Sequence, residues 1–130
     1  MAKTFNIELW QQLKEDFLDS SVFFGEAPED TPAPYCVIHV LDSGDDESSK
    51  TSCGGMTGIS NLQFNIHGFN NMQIDELLDE LNALLKTYAL IEFDDYRIIE
   101  AKRDITKGAE SFSAETGMGL TRFDFEWERL

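Results

Sequence analysis

The apolar positions of this chain change their spacing from segment to segment, and each spacing predicts an element. From Ile59 to His67 the sequence reads ISNLQFNIH, with Leu62, Phe64 and Ile66 alternating against Asn61, Gln63, Asn65 and His67. A period of two puts an apolar set on one face of a strand and an amide set on the other. Directly afterwards Ile74, Leu77, Leu78, Leu81, Leu84, Leu85 and Tyr88 recur at spacings of three and four, the stripe of an amphipathic helix. Asn70 stands at its N-cap, Gln73 at the capping-box position, and Phe69 with Ile74 at the two positions of a hydrophobic staple. A strand face and a helix stripe joined by a short turn can bury each other, and the core is expected here.

The rest of the chain extends this unit. Phe5, Leu9, Leu13 and Phe17 predict a first helix from about Phe5 to Leu18. Val22 to Phe24 reads as a small edge strand, and GEAPEDTPAP, which holds all three prolines, as an ordered surface loop. YCVIHVL is apolar on both alternating faces, Tyr35, Val37 and Leu41 against Cys36, Ile38 and Val40, which suits a strand covered on two sides. Residues 42–58 carry no apolar period and predict a long, flexible acidic loop that projects from a hairpin. Tyr96 to Thr106 reads as a strand with Ile99, Ala101 and Ile105 on one face and Tyr96 and Ile98 on the other. Residues 107–118 form another polar loop. The last segment alternates regularly, Thr121, Phe123, Phe125 and Trp127 against Arg122, Asp124, Glu126 and Glu128. The sum is a single α+β domain spanning 1–130. It is a two-layer sandwich in which a mostly antiparallel sheet of four to five strands carries two helices on one face.

Composition excludes several classes. At 130 residues with 42% hydrophobic and 27% charged positions, the chain is neither a disordered tail nor a bundle of membrane spans. Its amphipathic, acidic N-terminus lacks the apolar segment of a secretory signal, which predicts a cytoplasmic product. A net charge of −15 opposes binding to nucleic acid or to an anionic membrane, because both rely on Lys and Arg. Solubility alone accounts for such a charge. A surface that repels DNA, or one that imitates it, is the sharper reading.

The residues name no catalytic or metal centre. Cys36 and His39 fall on opposite faces of one strand, and His39 with His67 lacks the further ligands a zinc site needs. Cys36 reads as a buried thiol, and Cys53 as an exposed one. The acids Asp42, Asp45, Asp46 and Glu47 lack the glycine and the glutamate of a calcium loop. GGMTG is followed by neither the lysine nor the helix of a phosphate-binding loop, and no nucleophile elbow is present. Asp94 and Asp95 read as a solvated turn. Neither an enzyme nor a cofactor is expected.

The order of elements is similar to that of the tail terminator, or tail completion, proteins of long-tailed bacteriophages. The run FFGEAPEDTPAPYCVIHVL resembles that family's entrance into its first long strand; LQFNIHGFN, IDELLDELNALL and TRFDFEWE resemble the strand, helix and late strand that follow. The likeness covers about Val22 to Leu90 and the C-terminus, and it rests on Pro34-Tyr35, Gln63-Phe64 and the helix pattern. It implies a structural virion protein without turnover, which caps the tail tube as a hexameric ring and joins it to the connector of the filled head. The partners implied are copies of itself, the tail tube protein and the head-neck connector protein, with genomic DNA passing through unbound. The location implied is the tail or neck of the virion, assembled in the host cytoplasm. Tyr35, Val37, Leu41, Met56, Phe112, Met118 and Trp127 are the expected subunit or partner contacts, and Asp45, Asp46 and Glu47 the expected lumen-facing acids. The alternatives are another ring of the head-tail connector and an acidic DNA-mimic inhibitor of a host DNA-binding protein.

Overall fold

A computed structural model of the chain describes residues 4–18, 21–46, 57–108 and 117–130. In chain order the elements are α1 (Phe5–Asp16), β1 (Val22–Phe24), β2 (Tyr35–Asp46), β3 (Thr57–His67), α2 (Asn71–Thr87), β4 (Tyr96–Lys107) and β5 (Met118–Arg129). The strands form one sheet in the order β1-β2-β3-β5-β4. All neighbours are antiparallel except the short edge strand β1, which runs parallel to β2. The sheet is therefore mixed. Both helices pack on one of its faces, through a shared cluster that includes Leu9 and Leu13 of α1, Leu78 and Leu81 of α2, and Phe64 and Phe125 of the sheet.

Local chemistry sets the helix ends. The Asn70 side chain accepts from the Gln73 backbone N–H at 2.8 Å, a cap worth about 1 kcal/mol. The Gln73 side chain reaches back, but to the N–H of Phe69 rather than that of Asn70. Phe69 is 73% exposed, so the expected staple with Ile74 is not formed. Helix α1 stops at Asp16; Phe17 turns extended (φ −140°, ψ 138°) and still inserts its ring in the core.

Three β-bulges rewrite the alternation expected from sequence. One between Val40 and Asp42 sets Leu41 out of register; Val40, just before it, pairs with Leu62 on the helix side of the sheet yet is 42% exposed near the sheet edge. A second, at Ile98/Glu100, brings Ala101 to the core side with Tyr96 and Ile98, whereas a strict period separates them. A third, at Arg103/Ile105, sets Ile105 opposite Arg122 and Thr106 opposite Thr121. Residues 42–46 and 57–58, expected as loop, are strand: Asp42 to Asp46 pair with Asn61 to Thr57. The hairpin runs level with β5, since Thr57 pairs with Glu128. The tip between residues 47 and 56 lies outside the described residues.

Asn82, Thr106 and Thr121 form a closed hydrogen-bonded set under α2. Thr121 Oγ1 donates to Asn82 Oδ1 at 2.7 Å, Asn82 Nδ2 donates to Thr106 Oγ1 at 3.2 Å, and the two threonine hydroxyls meet at 2.8 Å. The set locks α2 to β4 and β5 where apolar packing alone would leave its register loose.

The two helices are joined by Tyr88, whose hydroxyl donates to Asp16 Oδ2 at 2.6 Å. Burial first, then this bond and the charge of Asp16, push the phenol well above its ordinary value of 10.0. A folded-state value raised above the unfolded one leaves the contribution whole below pH 10 and erodes it as pH rises further. Absorbance titration at 295 nm is expected to show Tyr88 keeping its proton until the alkaline unfolding transition. A Tyr88→Phe chain should lack that contribution to alkaline lability.

Candidate functional site

The helices leave one sheet face free, and cross-strand pairing orders its side chains into rows. At one end Tyr35, His67 and Met118 lie side by side on β2, β3 and β5. Tyr35 stacks on His67 at 4.5 Å with the planes 10° apart, and Phe23 of β1 meets Tyr35 edge-on at 6.2 Å. The second row is Phe23, Val37, Asn65 and Leu120, the last three almost wholly covered. Then follow His39, Gln63, Arg122 and Ile105, and after them Asp42, Asn61, Asp124 and Lys102. An apolar, aromatic end thus grades into a polar one.

The polar rows are knitted by directed bonds. Arg122 Nε donates to Gln63 Oε1 at 2.9 Å, and Gln63 Nε2 donates to Asn65 Oδ1 at 2.8 Å. Arg97 pairs with Glu128 and lies 3.6 Å from Glu92. Burial, with a smaller push from His39, holds His67 below the ordinary histidine value and favours the neutral ring stacked on Tyr35. Burial and the charge of Asp104 raise the Asp124 carboxyl, opposed by Lys102. Acids on this face are broken up by Arg122, Lys102 and Arg97, unlike the unbroken carboxylate face that a DNA mimic needs.

The residues singled out by sequence separate here. Tyr35, Val37 and Met118 come together at the aromatic end of the free face. Val37 is only 5% exposed, so it supports that surface from beneath rather than forming it. Leu41, bulged out of β2, is 51% exposed at the outer edge of the sheet and does not share their row. Trp127 is no contact surface. It lies on the helix-covered face, stacked on Phe5 at 5.6 Å, with its Nε1 donating to Ser60 Oγ at 3.1 Å. Asp45 and Asp46 occupy the last two positions of β2. Met56, Phe112 and Glu47 lie outside the described residues. His67, Phe23 and Leu120 lie at the same end of the face and were not singled out by sequence, although His67 ends the amide face of its own strand.

Two hollows flank these surfaces. One of about 420 Å³ lies between the Pro-rich loop after β1 and the side chains of Tyr35, Val37, His39 and His67. The other, of about 440 Å³, runs along α1 beside residues 92–94 and is lined by Glu8, Glu15, Glu92 and Asp94. The Asp95 backbone N–H donates to Glu8 Oε1 there at 3.2 Å, so the Glu8 carboxylate braces the turn. Among the described residues no three His, Cys, Asp or Glu side chains are grouped to hold a metal ion. Cys36 is buried in the core, and burial raises its thiol far above the usual range. No described helix is long and apolar enough to cross a membrane.

The sheet edges complete the surface. Strand β1 covers β2 only at Cys36, Val37 and Ile38, and beyond them no described strand pairs with its outer edge. Strand β4 is covered at its start, where Glu92 bridges Arg97 and Ile91 bonds Ile98; from Ile99 to Lys107 no described strand pairs with its outer edge. Comparison with known proteins leaves this geometry to speak for itself: no protein-family model matches the chain, and no curated protein matches it.

Proposed function

We propose that this chain is a structural virion protein, a ring-forming tail terminator that caps the tail tube of a long-tailed bacteriophage and joins it to the head connector. The observation that carries the reading is a sheet with one helix-free face and, among the described residues, an unpaired strand edge on each side. A subunit with two different open edges can associate head to tail, and such contacts close into a ring when the rotation between copies closes. The aromatic end of the free face, Tyr35, His67 and Met118, supplies a surface for tube or connector. The acidity of the chain suits a channel that genome must traverse without sticking, since carboxylates repel phosphates. The protein works by assembly, with no reaction to turn over.

The test is co-sedimentation with tail tubes polymerised from the tube protein encoded beside it. Tubes grown in its presence are expected to be shorter and to carry the protein at one end. Tubes of unchanged length, with the protein left in the supernatant, contradict the proposal.

A further inference from the structure

Resting on that ring reading, we infer which surfaces close the circle: the outer edge of β2, from His39 to Asp46, adds to the outer edge of β4, from Ile99 to Lys107, of the next copy. The sheet would continue from subunit to subunit by main-chain hydrogen bonds.

The directions agree. Successive antiparallel pairings make β2 antiparallel to β4 across the sheet. Copies set side by side with their strands upright therefore bring β2 against β4 in the antiparallel sense.

The levels agree as well. Pairing through Asn61 and Asp124 puts Asp42 and Lys102 in one row at opposite edges. Pairing through Gln63 and Arg122 does the same for His39 and Ile105. Bulges commonly protect an edge from such addition. Here each edge carries its extra residue between these same two rows, Leu41 in β2 and Asp104 in β4. The offsets cancel, and a ladder from His39 opposite Ile105 to Asp42 opposite Lys102 keeps its register.

Charge selects this pairing over its rivals. Strand β2 carries Asp42, Asp45 and Asp46, while the open part of β4 from Ile99 to Lys107 carries Lys102, Arg103 and Lys107 against Glu100 and Asp104, a net positive edge. Two β2 edges facing each other set acids against acids, and two β4 edges bring together two net positive segments. Only the unlike pairing matches Asp42 with Lys102. It also covers Val40 and Leu41, the exposed apolar residues of the β2 edge.

The experiment uses the full chain with C53S and cysteines at both edges, D42C with K102C, under mild oxidation. The expected result is a ladder of covalent multimers that ends at the ring, absent from D42C alone and K102C alone. A ring of unchanged mass with no ladder overturns the inference and leaves the ring itself standing. Equal cross-linking in D42C alone overturns it in favour of a two-fold β2 contact. A chain that is monomeric throughout overturns both. Charge reversal gives a second readout at exposed sites that leave folding intact. D42K alone is expected to raise the concentration for half-assembly about tenfold or more, and D42K with K102D to recover most of it. No recovery would contradict the pairing.

Discussion

Trp127→Ala is expected to lower the free energy of unfolding by about 3–5 kcal/mol, the cost of emptying a large aromatic site in a core. The indole is 5% exposed, stacks on Phe5 of α1, and meets Tyr96 edge-on at 5.1 Å. Its removal therefore opens a cavity at the point where α1, β4 and β5 converge. Trp127→Phe keeps much of that packing but loses the hydrogen bond to Ser60, at a cost of about 1–2 kcal/mol. Urea titration at one fixed protein concentration measures both. A stable Trp127→Ala subunit that merely fails to assemble would return this side chain to the interface role expected from its sequence position.

Gly119→Val is expected to cost about 3 kcal/mol, the upper part of the range for overpacking a core. A Cβ at position 119 would lie 2.7 Å from Leu78 Cδ1, 2.9 Å from Ile74 Cγ2 and 3.2 Å from the Lys107 carbonyl oxygen. Strand β5 and helix α2 approach so closely here that only hydrogen fits between them. Relief requires α2 to lift, which would loosen the Asn82–Thr121 bond further along the helix. Met118→Val, one residue earlier and on the opposite face, should stay within about 0.5 kcal/mol. Equal effects at the two positions would mean that the helix does not sit where the sheet places it.

These two sites also show what was legible in the residues. The β5 alternation of Thr121, Phe123, Phe125 and Trp127 and the leucine stripe of α2 were readable because one period runs through each without interruption. Paired, they imply the two-layer α+β fold. The β2 and β4 faces were misjudged because a bulge resets a period of two and leaves no mark in composition; Leu41 dropped out of the β2 ladder and Ala101 changed sides that way. The strand at 42–46 was hidden for a different reason. Its backbone pairs fully with β3, but DSGDD has no apolar residue to reveal an alternation. Trp127 was a partner contact only as the resemblance implied it, whereas its place in the alternating aromatic stripe agrees with the anchor that Phe5 and Ser60 supply from within. The free face was half legible. The amides of β3 pointed to it, but the edge-on contact of Phe23 with Tyr35 exists only once β1 is laid parallel to β2, and pairing direction is not written in a three-residue strand.

The proposal stands or falls on self-association. Native mass measurement of the full chain, from low to high micromolar concentration, tests this directly. The ring reading predicts one discrete closed species, six copies for the hexamer, appearing cooperatively with little dimer or trimer between. A mass of 14.8 kDa at every concentration, or an open series of oligomers without end, would contradict it.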